Sequence, residues 1–291
     1  MVPRLNIVGC GKVGRAIGRL WFRSGTFRPG GIANARVESS RRAVEFLGAG
    51  AVVESFGELP ESDVTWIAAN DDALAEIARR LAAQGAIRPG DVVFHSSGAL
   101  AASVLGPLAD LGAFVASVHP LRSFADPAIA ATGFAGTWCG CEGDGRALEI
   151  LEPAFRSIGG RTFAIASGAK PIYHASAVFA SNYLVALVEV AVRCGREAGI
   201  DRETTLKVLG PLMRGTLDNI DELGPAGALT GPIARGDARF VADQERALRE
   251  RDPQIARLYR EMGRVAAELA REKGETPDPS LDEIAKVLGD P

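Results

Sequence analysis

LNIVGCGKVGRAIGRLW, residues 5 to 21, is the stretch that decides the fold. Four residues of strand character, Leu5 to Val8, run directly into three glycines spaced G-x-G-x-x-G, and a helical segment begins inside that spacing. Gly9 permits the tight turn, Gly11 lets backbone approach a pyrophosphate, and Gly14 lets helix and strand pack closely. Lys12 and Val13 complete the turn, and the helix that starts here offers unpaired N–H groups and the positive end of its dipole to an anion. A glycine-rich turn can occur without a ligand, but strand, turn and helix in this order read as the first βα unit of a dinucleotide-binding domain.

Outward from that unit the pattern repeats. Short β-rich runs, GIANA, VTWIAA, VVFHS and FVASVH, alternate with helical segments Ser40 to Leu47, Ala73 to Ala83 and Ala101 to Leu111. This alternation predicts a doubly wound, mostly parallel sheet. TWCGCE and RTFAIA, flanking a helical Gly145 to Ile158, are expected to extend the sheet. After Ser167 the β signal fades into helices: Pro171 to Gly199, Arg202 to Asn219, Asp237 to Arg251, Pro253 to Lys273 and Ser280 to Leu288. The fold class expected is therefore α/β, with a Rossmann domain over 1–168 and a mostly α-helical domain over 169–291. The first long helix is apolar all round, which suggests burial in a bundle or in a homodimer interface.

The choice of cofactor is read at the end of the second strand, where NAD enzymes usually carry an acid for the ribose hydroxyls. Here the chain reads GIANARVESSRR. Asn34, Arg36, Ser39 and Arg41 offer hydrogen bonds and positive charge suited to a 2′-phosphate, so NADP is expected. Arg41 and Arg42 can equally decorate a solvated helix face, and Glu38 could still serve a ribose. Ala69 and Asn70 end a later strand on the ligand side of such a sheet, while Asp71 and Asp72 are read mainly as helix caps.

Bulk properties exclude several classes. The 33 Lys and Arg against 36 Asp and Glu leave a net charge of -3, without the basic excess that tracks nucleic acid. Four cysteines do not make a disulfide framework, and Cys139 with Cys141 lacks the second ligand pair of a metal site, so no metal is expected. The start of the chain enters a strand at once and shows no export signal. The apolar run Ala175 to Val192 is interrupted by Asn182 and Glu189, which favours a buried helix over a membrane span. A cytoplasmic protein that avoids membranes is expected.

Reduction of a carbonyl needs a proton donor and a group that stabilises negative charge developing on oxygen. The three histidines fall near strand ends or near the first long helix: His95 in FHSSG, expected at the cofactor, His119 in SVHPLRSF, and His174 in KPIYHAS. Lys170 and His174 are four residues apart, and Ser181 is seven further on, so the three can share one helix stripe with Asn182 beside it. Ser96, Ser97 and His119 are candidates to touch substrate, and Arg122 and Arg235 to clamp a carboxylate. Each has a plain alternative: a turn serine, a buried His or Asn bonded to backbone, a surface ion pair. Asp237 is expected to cap a helix rather than enter a site.

GCGKVG, AANDDALAEIA, FHSSGAL, SVHPLRSF, AKPIYHASAVFASNYLVAL and LTGPIARGD, in this order, resemble a bacterial group of Rossmann-like proteins with a C-terminal domain of unknown function. That group is similar to pyrroline-5-carboxylate reductase, prephenate dehydrogenase and ketopantoate reductase. The resemblance implies an NADPH-dependent reductase of a small carboxylate substrate, a 2-oxo acid with ketopantoate first, and a homodimer built through the helical domain. It also implies that Lys170 and Asn182 stand where relatives keep a proton donor and a substrate anchor, and that His174 resembles the histidine of prephenate dehydrogenases. An NADP-binding sensor without catalysis is the reading from another class.

Overall fold

The computed structural model describes residues 1–289. The chain divides into two compact units, Met1–Ser181 and a second beginning at Asn182. The first unit carries an eight-stranded sheet. Along the chain its elements are β1 (Arg4–Val8), α1 (Lys12–Ser24), β2 (Arg28–Ala33), α2 (Val37–Leu47), β3 (Ala51–Val53), β4 (Val64–Ile67), α3 (Asp71–Ala83) and β5 (Val92–His95). There follow α4 (Gly106–Ala109), β6 (Phe114–Pro120), α5 (Pro127–Thr132), β7 (Trp138–Gly143), α6 (Gly145–Ser157), β8 (Arg161–Ala164) and α7 (Lys170–Val178). The strand order is β3-β2-β1-β4-β5-β6-β7-β8. The six strands from β3 to β6 are mutually parallel, and β7 runs against β6.

Two elements depart from the periodic reading. β3 has only three residues, too few to show alternation, and α5 has six. The short helix is nucleated by Asp126, whose side chain accepts from the backbone N–H groups of Ala128 and Ile129, with Pro127 in the first turn.

The sheet is buried on both faces, as its near-continuous apolar strands require. One face closes over Trp21, which is fully buried and meets Phe27, Trp66, Phe94 and Phe155 edge-on at 4.9–6.3 Å between ring centroids. Its indole N–H donates to the Ala154 carbonyl at 2.7 Å, so the polar atom carried inward is satisfied. α1 can lie this close to β1 because Gly18 puts no side chain there: a Cβ would stand 3.0 Å from Ile7 and 3.1 Å from Leu47.

The second unit is helical: α8 (Leu184–Glu197), α9 (Arg202–Ala228), α10 (Ala238–Arg251), α11 (Pro253–Lys273) and α12 (Asp278–Leu288). α9 runs nine residues beyond the predicted end and breaks at Gly224, whose φ of 71° leaves the helical region. α10, α11 and α12 enclose Val241, Ala270, Leu281, Ile284 and Leu288. Buried Glu245 is held by Arg260 at 2.5 Å, and Asp237 caps α10 through the Phe240 N–H. Between α7 and α8 the helix widens into a π turn, Phe179–Tyr183, and the division between the units falls inside it.

Of the two settings expected for the apolar helix, bundle or homodimer interface, burial in a bundle within the chain is not what the structure shows. The run Lys170–Glu197 is long and apolar enough to cross a membrane, yet only 6% of its most apolar window is buried within the chain. Val185 is 71% exposed, and Val208 and Leu212 on α9 are similarly open.

Candidate active site

At the carboxyl ends of β1, β2 and β4 lies a cavity of about 760 Å³ lined by Gly9, Gly11, Asn34, Ala69 and Asn70, among others. Gly9 has φ +78°, and a Cβ there would stand 2.7–2.8 Å from Ala69, so only glycine fits. Gly11 is the opposite case: a Cβ would meet nothing closer than the Gly9 carbonyl at 3.8 Å, which leaves bare backbone facing open space. Gly14 admits close packing, with Cys10 Sγ 3.2 Å and Ala68 3.3 Å from a Cβ position. α1 begins at Lys12 with no side-chain cap and no acid in its first turn, so its N–H groups are free for an anion. Val13 is half-buried behind this turn and Lys12 is exposed.

Asn34 follows directly after β2, and its N–H donates to the buried Ser40 hydroxyl at 2.9 Å. Its amide Nδ2 is buried and has no partner, an orphan donor at the cavity. A buried donor left unpaired costs about 1–3 kcal/mol, which a bound ribose or phosphate oxygen would remove. The glycine turn, the uncapped helix and this amide fit a dinucleotide. Arg36 stands at the start of α2 in extended backbone, with no side-chain cap on the helix. Glu38 is tied to Arg41 at 2.6 Å, and Arg42 donates to the Ser39 hydroxyl at 3.1 Å. Asn70 takes the cap position of α3, and Asp71 and Asp72 fall in its first turn.

A second cluster forms where β5 and β6 end beneath the start of α7. His95 is fully buried; its Nε2 lies 3.1 Å from the Ala101 carbonyl and its Nδ1 accepts from the Ser97 N–H at 3.1 Å. Both ring nitrogens are spent closing the loop that follows β5, and burial pushes the imidazole pKa down to about 4. The Ser97 hydroxyl accepts from Ala99 and Leu100, and Ser96 accepts from the Trp66 indole at 3.0 Å. Lys170 is fully buried and donates to the Ser97 carbonyl at 2.6 Å and the Ser117 hydroxyl at 2.9 Å. Burial lowers its pKa to about 8, with Glu142 and Asp71 opposing.

His119 is the more open of the two strand-end histidines. Its Nδ1 lies 2.9 Å from the Tyr173 hydroxyl, and its ring stands 5.9 Å from that of His174. Burial first, then Lys170 and His174, lower its pKa to about 4. His174 Nδ1 is buried and unpartnered, pressed toward Gly98, where a Cβ would overlap it and lie 2.9 Å from His119 Cε1. Gly98 is therefore the floor on which both rings rest.

The other candidates stand on other elements. Arg122 is exposed, its guanidinium against Gly133. Ser181 and Asn182 are exposed on the π turn, whose i→i+5 pitch takes in an extra residue and so shifts the seven-residue stripe from His174. Arg235 is exposed in the second unit, in the turn before α10. Tyr173, Gly98 and Ser117 escaped the sequence reading. The only signal for Tyr173 was its place three residues after Lys170, and nothing local marks Gly98 as more than a turn residue.

Two family models match successive parts of the chain, the second beginning inside the first compact unit just before β7. Residues 2–120 match the family described as Rossmann-like domain, and residues 137–266 match the domain of unknown function DUF2520. By class the matches make a Rossmann-like region ahead of a second domain; more particularly, that second region is similar to DUF2520, the order its motifs led us to expect. Protein TM1727 from Thermotoga maritima is 28% identical, with TM-score 0.73, over 93% of this chain and 100% of that one. A pyrroline-5-carboxylate reductase from Coxiella burnetii aligns at TM-score 0.59 and 13% identity, covering 94% and 99% of the two chains. A reductive aminase from Aspergillus terreus, in complex with NADPH and ethyl levulinate, aligns at 0.59 and 16%, covering 99% and 93%. At these identities the last two speak to the fold. No curated protein matches the sequence.

Proposed function

We propose that this chain is an NADPH-dependent oxidoreductase that reduces the C=O or C=N bond of a small carboxylate-bearing substrate. The observation that carries the reading is the pairing, within one compact unit, of a dinucleotide-shaped turn holding the orphan Asn34 amide with the His119, Tyr173 and His174 cluster. The fold likeness to a pyrroline-5-carboxylate reductase and to a reductive aminase that binds NADPH supports it. When bound, a reduced nicotinamide supplies hydride.

The residues of this chain supply the rest. Gly9, Gly11 and the start of α1 receive the pyrophosphate, and Asn34, Arg36 and Ser39 the ribose with its 2′-phosphate. His119 is neutral near pH 7, so it acts as a hydrogen-bond donor that polarises the reacting bond rather than as an imidazolium. His174 lines the same space. Lys170 is a positioning residue that ties α7 to Ser97 and Ser117. The final proton on the product comes from solvent.

A small 2-oxo acid is the substrate class put forward, with ketopantoate as the first compound to test and cyclic imino acids such as pyrroline-5-carboxylate second. The exposed apolar residues of α8 and α9 support a homodimer through the helical unit, and a cytoplasmic, membrane-free setting is part of the same reading. The test is NADPH oxidation against a panel of 2-oxo acids and cyclic imino acids, with NADH in parallel. Turnover with NADPH supports the reading; tight NADPH binding without turnover across the panel would favour a sensor.

A further inference from the structure

Across the antiparallel pair of β6 and β7, His119 stands opposite Gly140. The missing side chain there is occupied by two neighbours: a Cβ at Gly140 would lie 2.5 Å from Ile165 Cδ1, 2.9 Å from the Tyr173 hydroxyl and 3.0 Å from the Tyr173 ring. The bare position on β7 is thus the slot into which α7 lowers its phenol, beside the imidazole on the neighbouring strand. The Tyr173 ring is also braced edge-on by Phe163 at 5.9 Å and by His119 at 5.7 Å. A side chain held on three sides and bonded through its one polar atom is positioned for a purpose.

That polar atom settles the protonation of its neighbour. Among the described residues the hydroxyl has one hydrogen-bond partner, His119 Nδ1, and burial raises its pKa so that it keeps its proton. A protonated phenol that donates its O–H to Nδ1 pairs with the bare nitrogen of a neutral ring. The ring proton is left on Nε2, which has no partner among the described residues. His95 carries its proton on Nε2 as well, but spends it on the Ala101 carbonyl.

We infer that Tyr173 is a positioning residue that locks His119 in its Nε2–H tautomer, so that a donor rather than a lone pair faces the substrate's reacting oxygen or nitrogen. The inference rests on the reductase reading for its purpose, but the tautomer is a property of the protein alone. The groups facing the ring are Tyr173, Lys170 and His174 on α7 and Ser117 on its own strand.

The experiment uses the full chain labelled with 15N at histidine, where only three imidazoles contribute. Two-bond 1H–15N correlations distinguish the tautomers directly. His119 should appear as Nε2–H, and in Tyr173→Phe should populate the other tautomer, because Nδ1 has lost its donor. In the same variant kcat/KM should fall about tenfold, as loss of one net hydrogen bond predicts, and the acid limb of its pH profile should move up. Gly140→Ala, which keeps the hydroxyl but crowds both it and Ile165, should shift the tautomer mixture in the same direction. An Nδ1–H signal for His119 in the unaltered protein overturns the inference, as does a Tyr173→Phe spectrum and acid limb identical to those of the parent. Absence of turnover with the Nε2–H signal intact would instead overturn the reductase reading and leave the tautomer assignment standing.

Discussion

The glycine-turn cavity and the histidine cluster, the two ends of the proposed site, are made by different means. The end at β1 and β2 is built from backbone: a glycine at φ +78°, an open glycine two residues on, and a helix start without a cap. The end at β5 and β6 is built from side chains that arrive from distant places, with Lys170 reaching Ser97 across 73 residues and Tyr173 reaching His119 across 54. Backbone sites are set by residues adjacent in sequence, while side-chain sites exist only once the sheet and α7 have come together. Damage to either end should therefore have distinct consequences.

The largest effect is expected at Gly9. Gly9→Val forces a β-branched residue into the left-handed region and into Ala69, and dinucleotide affinity by calorimetry should fall at least ~100-fold, about 2.7 kcal/mol or more. Retained affinity would break the backbone half of the comparison. At the other end, Gly98→Ala should displace His174 and His119 and lower turnover roughly 100-fold, the scale of a mispositioned reacting group, with NADPH affinity within about twofold.

Acid stability should separate the side-chain end again. His95 is neutral and buried in the folded state, with a pKa near 4 against 6.5 for the free side chain. The folded state then binds fewer protons than the unfolded one between those values, so stability is full above pH 6.5 and is lost as pH falls towards 4. The shift corresponds to about 3 kcal/mol for this residue. Urea unfolding from pH 7 to 4 should show this decline, and His95→Gln should flatten it; a slope unchanged by the substitution would place the acid sensitivity elsewhere.

Lys170→Met should cost about 1–3 kcal/mol by removing two hydrogen bonds and leaving Ser97 and Ser117 only their mutual contact at 3.4 Å, measured as a lower unfolding midpoint. The smallest change belongs to the exposed Glu38–Arg41 pair on α2. Arg41→Ala should alter stability by no more than ~0.5 kcal/mol, while the ratio of NADPH to NADH affinity reads whether Arg41 meets the 2′-phosphate.

This contrast also explains what the sequence reveals. The G-x-G-x-x-G turn, the alternation of strands with helices and the helical second half are local patterns, and all appear in the structure. The reversal of β7 is not local: TWCGCE reads as a strand whichever way it runs, and direction depends on pairing with β6. The histidines were visible as residues but not as environments. His95 ends β5 and His119 is the penultimate residue of β6, yet one closes its own loop with both nitrogens and the other keeps one free, a difference made by Ala101 and Tyr173. Exposure of the apolar α8 was likewise illegible, because composition reports that a face needs covering and not what covers it.

Trp66 stacks on Phe94 at 5.4 Å and gives its indole N–H to Ser96, in the loop between the two ends. Of the three tryptophans, Trp21 and Trp66 are fully buried and Trp138 is 48% exposed. The chain therefore carries its own optical reporter. Aqueous quenchers will darken Trp138 and spare the other two, and the remaining emission will register any ligand that disturbs Ser96.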